Sequence, residues 1–102
     1  MNVDDDFGKG GAPPTELAEC RSAIEEIDRQ LIELLAKRVA LGRKTATIKR
    51  AAGLPILDPQ REAEVIRRAV TSAREHDLPE EAVRQVFWHV VGLSRRVQED
   101  AQ

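Results

Sequence analysis

Residues 31–50 read "LIELLAKRVALGRKTATIKR", an apolar stripe at helical period with two cations set into it. On a helix turning about 100° per residue, with Arg38 as origin, Cys20, Ile24, Ile27, Leu31, Leu34, Thr45 and Ala52 all fall within about 40° of it. Arg38 thus stands at the centre of the face that should be buried. Lys49 is rotated from it by only about 20° and raised by roughly 16 Å, so both cations look out of one side. Lys37, Arg43, Lys44 and Arg50 lie off the stripe and fit a solvated face. Arg38 and Lys49 do not, because burying an unpaired cation costs several kcal/mol. Something anionic should meet them, either a carboxylate of the protein or a bound ligand.

The same period runs through "ELAECRSAIEEIDRQLIELLAKRVALGRKTATIKRAAG" until Gly53 and Pro55 stop it, which predicts a first helix over residues 16–52 with Gly42 as its weak point. Asp58, an N-cap with Pro59 as the first helical residue, opens a second helix through "QREAEVIRRAVTSAREH". "DLPEEAVRQVFWHVVGLSRRVQED" repeats the device, with Pro79 at a helix start. Its apolar stripe is Val83, Val86, Val90 and Val97, with Ser94 and Gln98 beside it, one turn apart. The expected fold is all-α, a three-helix chain with one very long first helix.

That length bears on assembly. A straight helix over residues 16–52 would be roughly 55 Å long, whereas a compact domain of about 100 residues has a radius of gyration near 13 Å. One chain cannot cover such a stripe, so an intertwined homodimer with antiparallel or crossing long helices is expected. Arg21 is a third misplaced cation, roughly 25 Å before Arg38 on the same helix. It cannot join Arg38 from its own chain, but in an antiparallel dimer Arg21 of one subunit could complete a pocket built by the other.

Composition narrows the function classes. The chain has 102 residues, enough for a single domain. Its first fourteen, "MNVDDDFGKGGAPP", have little to bury and are expected to form a disordered tail, leaving residues 15–102 as the helical domain. No signal-peptide pattern and no membrane-spanning apolar run is present, so a cytoplasmic location and no membrane partner are expected. With 16 basic and 18 acidic residues interspersed, there is no field to steer nucleic acid. Cys20 lies on the apolar stripe and reads as a small core residue. His76 and His89 read as surface or helix-end residues, and neither a disulfide nor a metal is indicated. Phe87 and Trp88 suit core packing or an interface better than base stacking.

An Arg in "ECRSAIEEIDRQL", an Arg in "LLAKR", a Lys in "ATIK", "DPQRE" at the start of the second helix, and a Ser and Gln one turn apart in the last form a spaced polar set. In that set the chain resembles the all-helical (AroQ) class of chorismate mutases, over residues 17–98. The resemblance implies that Arg38 and Arg21 of the neighbouring subunit clamp the two carboxylates of the substrate, with Ser94 adding a hydrogen bond. It implies that Lys49 and Gln98 donate to the ether oxygen, that Glu62 and the backbone at Asp58 hold the ring hydroxyl, and that Arg61 supports that end. The implied reaction is the Claisen rearrangement of chorismate to prephenate, which needs no cofactor. The catalytic group would then be Lys49, Gln98, Arg38 and Glu62.

Each residue also has an ordinary reading. Asp58 is accounted for as an N-cap, Arg61 and Glu62 as an exposed first turn, and Ser94 and Gln98 as boundary residues. Three cations on buried or interface faces, with polar partners at matching positions in two other helices, are harder to account for jointly. Related activities on the same scaffold are a 4-amino-4-deoxychorismate mutase, where Glu62 would face an ammonium, and an isochorismate pyruvate lyase. A noncatalytic dimeric helical binding module would require Arg38 and Lys49 to be neutralised by carboxylates of the protein. A DNA-binding bundle using "GRKTATIKR" is opposed by the balanced charge and the long first helix.

Overall fold

The computed structural model describes residues 14–100, so the expected tail at residues 1–14 lies outside the described residues apart from Pro14. Those residues form three helices and no strand: α1 (Thr15–Ala51), α2 (Pro59–Glu75) and α3 (Glu80–Asp100). They divide into two units between Leu34 and Leu35.

In the first unit, Pro14 caps α1 with its carbonyl, which accepts from Leu17 N at 3.0 Å and Ala18 N at 3.2 Å. The stripe that the sequence marks for burial is open along this segment. Ile24, Ile27, Leu31 and Leu34 are each 53–60% exposed. Cys20 is exposed as well, which corrects its reading as a core residue. The reason is geometric: a single helical segment has nothing of its own to bury a stripe against.

In the second unit the elements are punctuated by local chemistry. Gly53 adopts φ +72°. There Leu54 N reaches back to Lys49 O at 2.8 Å and Gly53 N to Arg50 O at 3.2 Å. This paired closure satisfies the last carbonyls of α1 and needs a left-handed residue, which glycine supplies without a Cβ penalty. Asp58 caps α2 by accepting from Arg61 N at 3.0 Å, and Pro59 follows where a missing N–H costs nothing.

The α2–α3 turn departs from the expected repeat of that device. Asp77 does not cap α3; at φ 57° it closes α2, with Leu78 N on Ala73 O at 2.8 Å and Asp77 N on Arg74 O at 3.3 Å. Pro79 stands one residue before α3, and its carbonyl accepts from Val83 N at 3.1 Å. His76 ends α2, with Nδ1 2.8 Å from Ser72 O. Four residues between the helices make a tight hairpin, and Arg74 bridges it with paired bonds to Glu80 at 2.9 and 3.1 Å.

The core of this unit lies between α2 and α3. Ile66, Val70 and Val91 are buried, with Val65 and Phe87 packed against them. Ala69 and Ala73 on α2 and Ala46 on α1 are buried too. The line of α3 that faces α2 is therefore Phe87 and Val91, not Val86, which is 57% exposed. "VFWHVV" is apolar along several lines at once, so the period alone does not select the packed one. Continued by one and two turns, the chosen line arrives at Ser94 and Gln98.

Candidate active site

A pocket of about 290 Å³ opens within the second unit, at the lower end of the size range of small-molecule sites. Its walls come from helical spacing. From α1, Arg38, Leu41, Gly42, Thr45 and Lys49 recur at three and four residues and present one face. The first turns of α2 supply Arg61, Glu62 and Val65, with Ile56 and Asp58 from the loop before it. Val91, Ser94, Arg95 and Gln98 close it from α3.

Two cations in this pocket are held without being neutralised. Arg38 Nη1 donates to Ser94 Oγ at 2.6 Å, a bond between α1 and α3 that aims the guanidinium and leaves four of its five N–H groups for other acceptors. Lys49 Nζ donates to the carbonyl of Ile56 at 3.2 Å, which leaves two ammonium protons. Among the described residues, no carboxylate lies within ion-pair distance of either. Both side chains are half-buried, where solvent screens a charge less than at the surface. Among the described residues, then, no carboxylate supplies the anion demanded by the sequence, and the pocket is electrostatically suited to an anionic ligand.

The opposite end is compensated internally. Glu62 is ion-paired with Arg95 across α2 and α3. The paired Glu62 carboxylate holds the Arg95 guanidinium above its already high ordinary pKa, through the hydrogen bond first and its charge second. Arg61 directs its guanidinium to Glu64 at 2.6 Å, and Asp58 Oδ1 caps α2. Gly42 matters here for room: a Cβ at that position would stand 3.3 Å from Gln98 Nε2, tighter than an ordinary contact.

Residues 20–99 match the family model described as chorismate mutase type II. The chain belongs to that family. It is 34% identical over 83 residues to the chorismate mutase of Methanocaldococcus jannaschii, covering 81% of this chain and 84% of that protein. It is 27% identical over 84 residues to the 4-amino-4-deoxychorismate mutase of Streptomyces venezuelae, 82% of each. Against the T-protein of Enterobacter agglomerans it is 32% identical over 85 residues, which is 83% of this chain but 23% of that protein's length.

On this chorismate mutase-family scaffold the structure gathers Arg38, Lys49, Asp58, Arg61, Glu62, Ser94 and Gln98 around one cavity. Arg21, half-buried on α1, is not among the residues lining it. The sequence reading missed Arg95. It sits about 100° around α3 from Ser94, off the line that marked Ser94 and Gln98, and its tie to Glu62 spans 33 residues. The apolar lining at Leu41, Val65 and Val91 was also passed over, since the helical period marks those residues equally well as core.

Proposed function

We propose that this pocket binds chorismate and promotes its rearrangement to prephenate. The carrying observation is that Arg38 and Lys49, from one face of α1, enter the same cavity with no protein carboxylate within ion-pair distance among the described residues. The family match and a chorismate mutase relative of nearly the same length support the same reading.

The chemistry asks for positioning and charge, because a pericyclic step transfers no proton and forms no covalent link to the protein. One C–O bond of the enolpyruvyl ether breaks as one C–C bond forms. Arg38, steadied by Ser94, grips a substrate carboxylate and restricts the flexible ether toward the reactive chair. Negative charge grows on the ether oxygen as its bond to the ring stretches. A fixed ammonium at Lys49, with the Gln98 amide, stabilises that charge more in the transition state than in the ground state. Glu62 and the backbone at Asp58 receive the ring hydroxyl at the other end.

The reading includes a homodimer in the cytoplasm, in which the partner subunit's Arg21 clamps the second carboxylate. The exposed row Ile24, Ile27, Leu31 and Leu34 supports pairing, since apolar area of that extent favours removal from water. A relative named 4-amino-4-deoxychorismate mutase, matched over 82% of both chains, keeps an amino substrate as the second reading.

The test is loss of chorismate absorbance with identification of the product, with Lys49→Ala beside the wild-type chain. Prephenate should form, and the substitution should lower kcat/KM by roughly 100-fold or more, as for loss of one oxyanion donor. Near-full turnover by Lys49→Ala would refute the placement of the reacting oxygen at Lys49.

A further inference from the structure

We infer that Arg95 is a specificity-determining residue, which sets the Glu62 end of the pocket to accept a neutral hydroxyl and to reject an ammonium. The inference rests on the chorismate reading of the site. Arg95 meets Glu62 fork to fork: Nε donates to Oε2 at 3.3 Å and Nη2 donates to Oε1. The Glu62 side chain is 18% exposed and that of Arg95 43%, and both line the cavity.

Paired bonds of this kind fix the plane of a carboxylate as well as its position. An ionised carboxylate offers about four lone-pair sites, so with two used by Arg95 there is capacity left for a ligand O–H. A hydroxyl placed there gains a bond to a charged acceptor and meets no charge of its own sign. An ammonium at the same oxygens would stand within a few ångströms of the Arg95 guanidinium, and like charges so juxtaposed oppose binding.

The lining holds one other carboxylate, Asp58, set against a second guanidinium, Arg61. The Asp58 carboxylate, also at this end, is held by the backbone N–H of Arg61 at 3.0 Å. Arg61 adds a second guanidinium to the lining, turned toward Glu64. An arginine stays protonated across the whole working pH range, so the repulsion persists there. Arg95 acts on the substrate through Glu62 and through its field, and is a positioning residue for the reaction itself.

The experiment compares kcat/KM for chorismate and 4-amino-4-deoxychorismate in the full chain, its Arg95→Gln variant and its Arg95→Lys variant, with helicity checked by circular dichroism. Wild type should prefer the hydroxyl substrate by about 100-fold or more, as for a charge mismatch in a binding site. Arg95→Gln should shrink that ratio by about tenfold, mainly through a lower KM for the amine, and Arg95→Lys should restore most of it. Equal loss of both activities in Arg95→Gln, with the ratio unmoved, would mean a structural role and overturn the assignment while leaving the chorismate reading intact. A wild-type preference for the amine would overturn it even if Arg95→Gln failed to fold. Turnover of neither substrate by wild type would remove the chorismate reading and this inference with it.

Discussion

Gly42 shows how a single residue can trade stability against the site. Glycine in the middle of a helix costs about 0.5–1 kcal/mol relative to alanine, and here it occupies α1 where a Cβ would press on the Gln98 amide at 3.3 Å. Gly42→Ala should therefore raise the melting temperature while lowering kcat/KM for chorismate by several-fold to about tenfold, because the amide must give by a few tenths of an ångström. A thermal melt and steady-state kinetics on the same preparation check both halves. Unchanged kinetics would mean that Gln98 does not contact the reacting ether. At this scale Arg38 and Lys49 were legible from the sequence, since a charge on an apolar helical line is visible without coordinates. Arg95 was not legible, since its meaning comes from a partner on another helix.

The helix boundaries are set by the residues that close each end. α1 ends on a glycine in the left-handed region, whereas α2 ends on Asp77 in the same conformation at φ 57°. A left-handed L-residue is strained by roughly 1–2 kcal/mol, a cost that aspartate partly offsets with local hydrogen bonding and that glycine avoids at some entropic expense. Asp77→Gly should stabilise the fold by about 0.5–1 kcal/mol in denaturant titration, with no change in kinetics. Beside it, the hydrogen bond from Arg74, aided by charge, holds the Glu80 carboxyl below the usual carboxylate range. A lowered folded-state pKa stabilises the hairpin above the ordinary carboxylate pKa of about 4.3 and loses that contribution as pH falls through the lowered value. Glu80→Gln should accordingly melt lower at neutral pH and show a flatter decline between about pH 5 and 2 than the wild type. Parallel acid limbs for the two proteins would rule out that linkage.

For the whole molecule the open question is what covers α1 before Leu35. Ile24, Ile27, Leu31 and Leu34 lie on one helical line and are each more than half exposed in the single chain. In the proposed dimer, Ile27→Asp puts a charge into that contact. The wild-type chain should sediment at twice its own mass, and Ile27→Asp should move it toward monomer while lowering kcat/KM by roughly 100-fold, since the pocket then lacks the partner subunit's Arg21. Analytical ultracentrifugation with an activity assay decides it. A monomeric wild type with full activity would refute the shared site.

By itself the sequence determined the number and type of the elements, the stop of the first at Gly53, the start of the second at Pro59, and the helical face that carries Arg38 and Lys49. These depend on interactions within a turn or two, where the period of 3.6 residues and the capping residues act locally. Tertiary structure alone decided which line of α3 packs on α2, that Asp77 closes one helix instead of opening the next, and that Glu62 is already matched by Arg95. It also decided that the cations of α1 face a cavity with no carboxylate within ion-pair distance among the described residues. Those outcomes join residues on different helices, or depend on how a turn resolves two competing caps, and no local period encodes the choice.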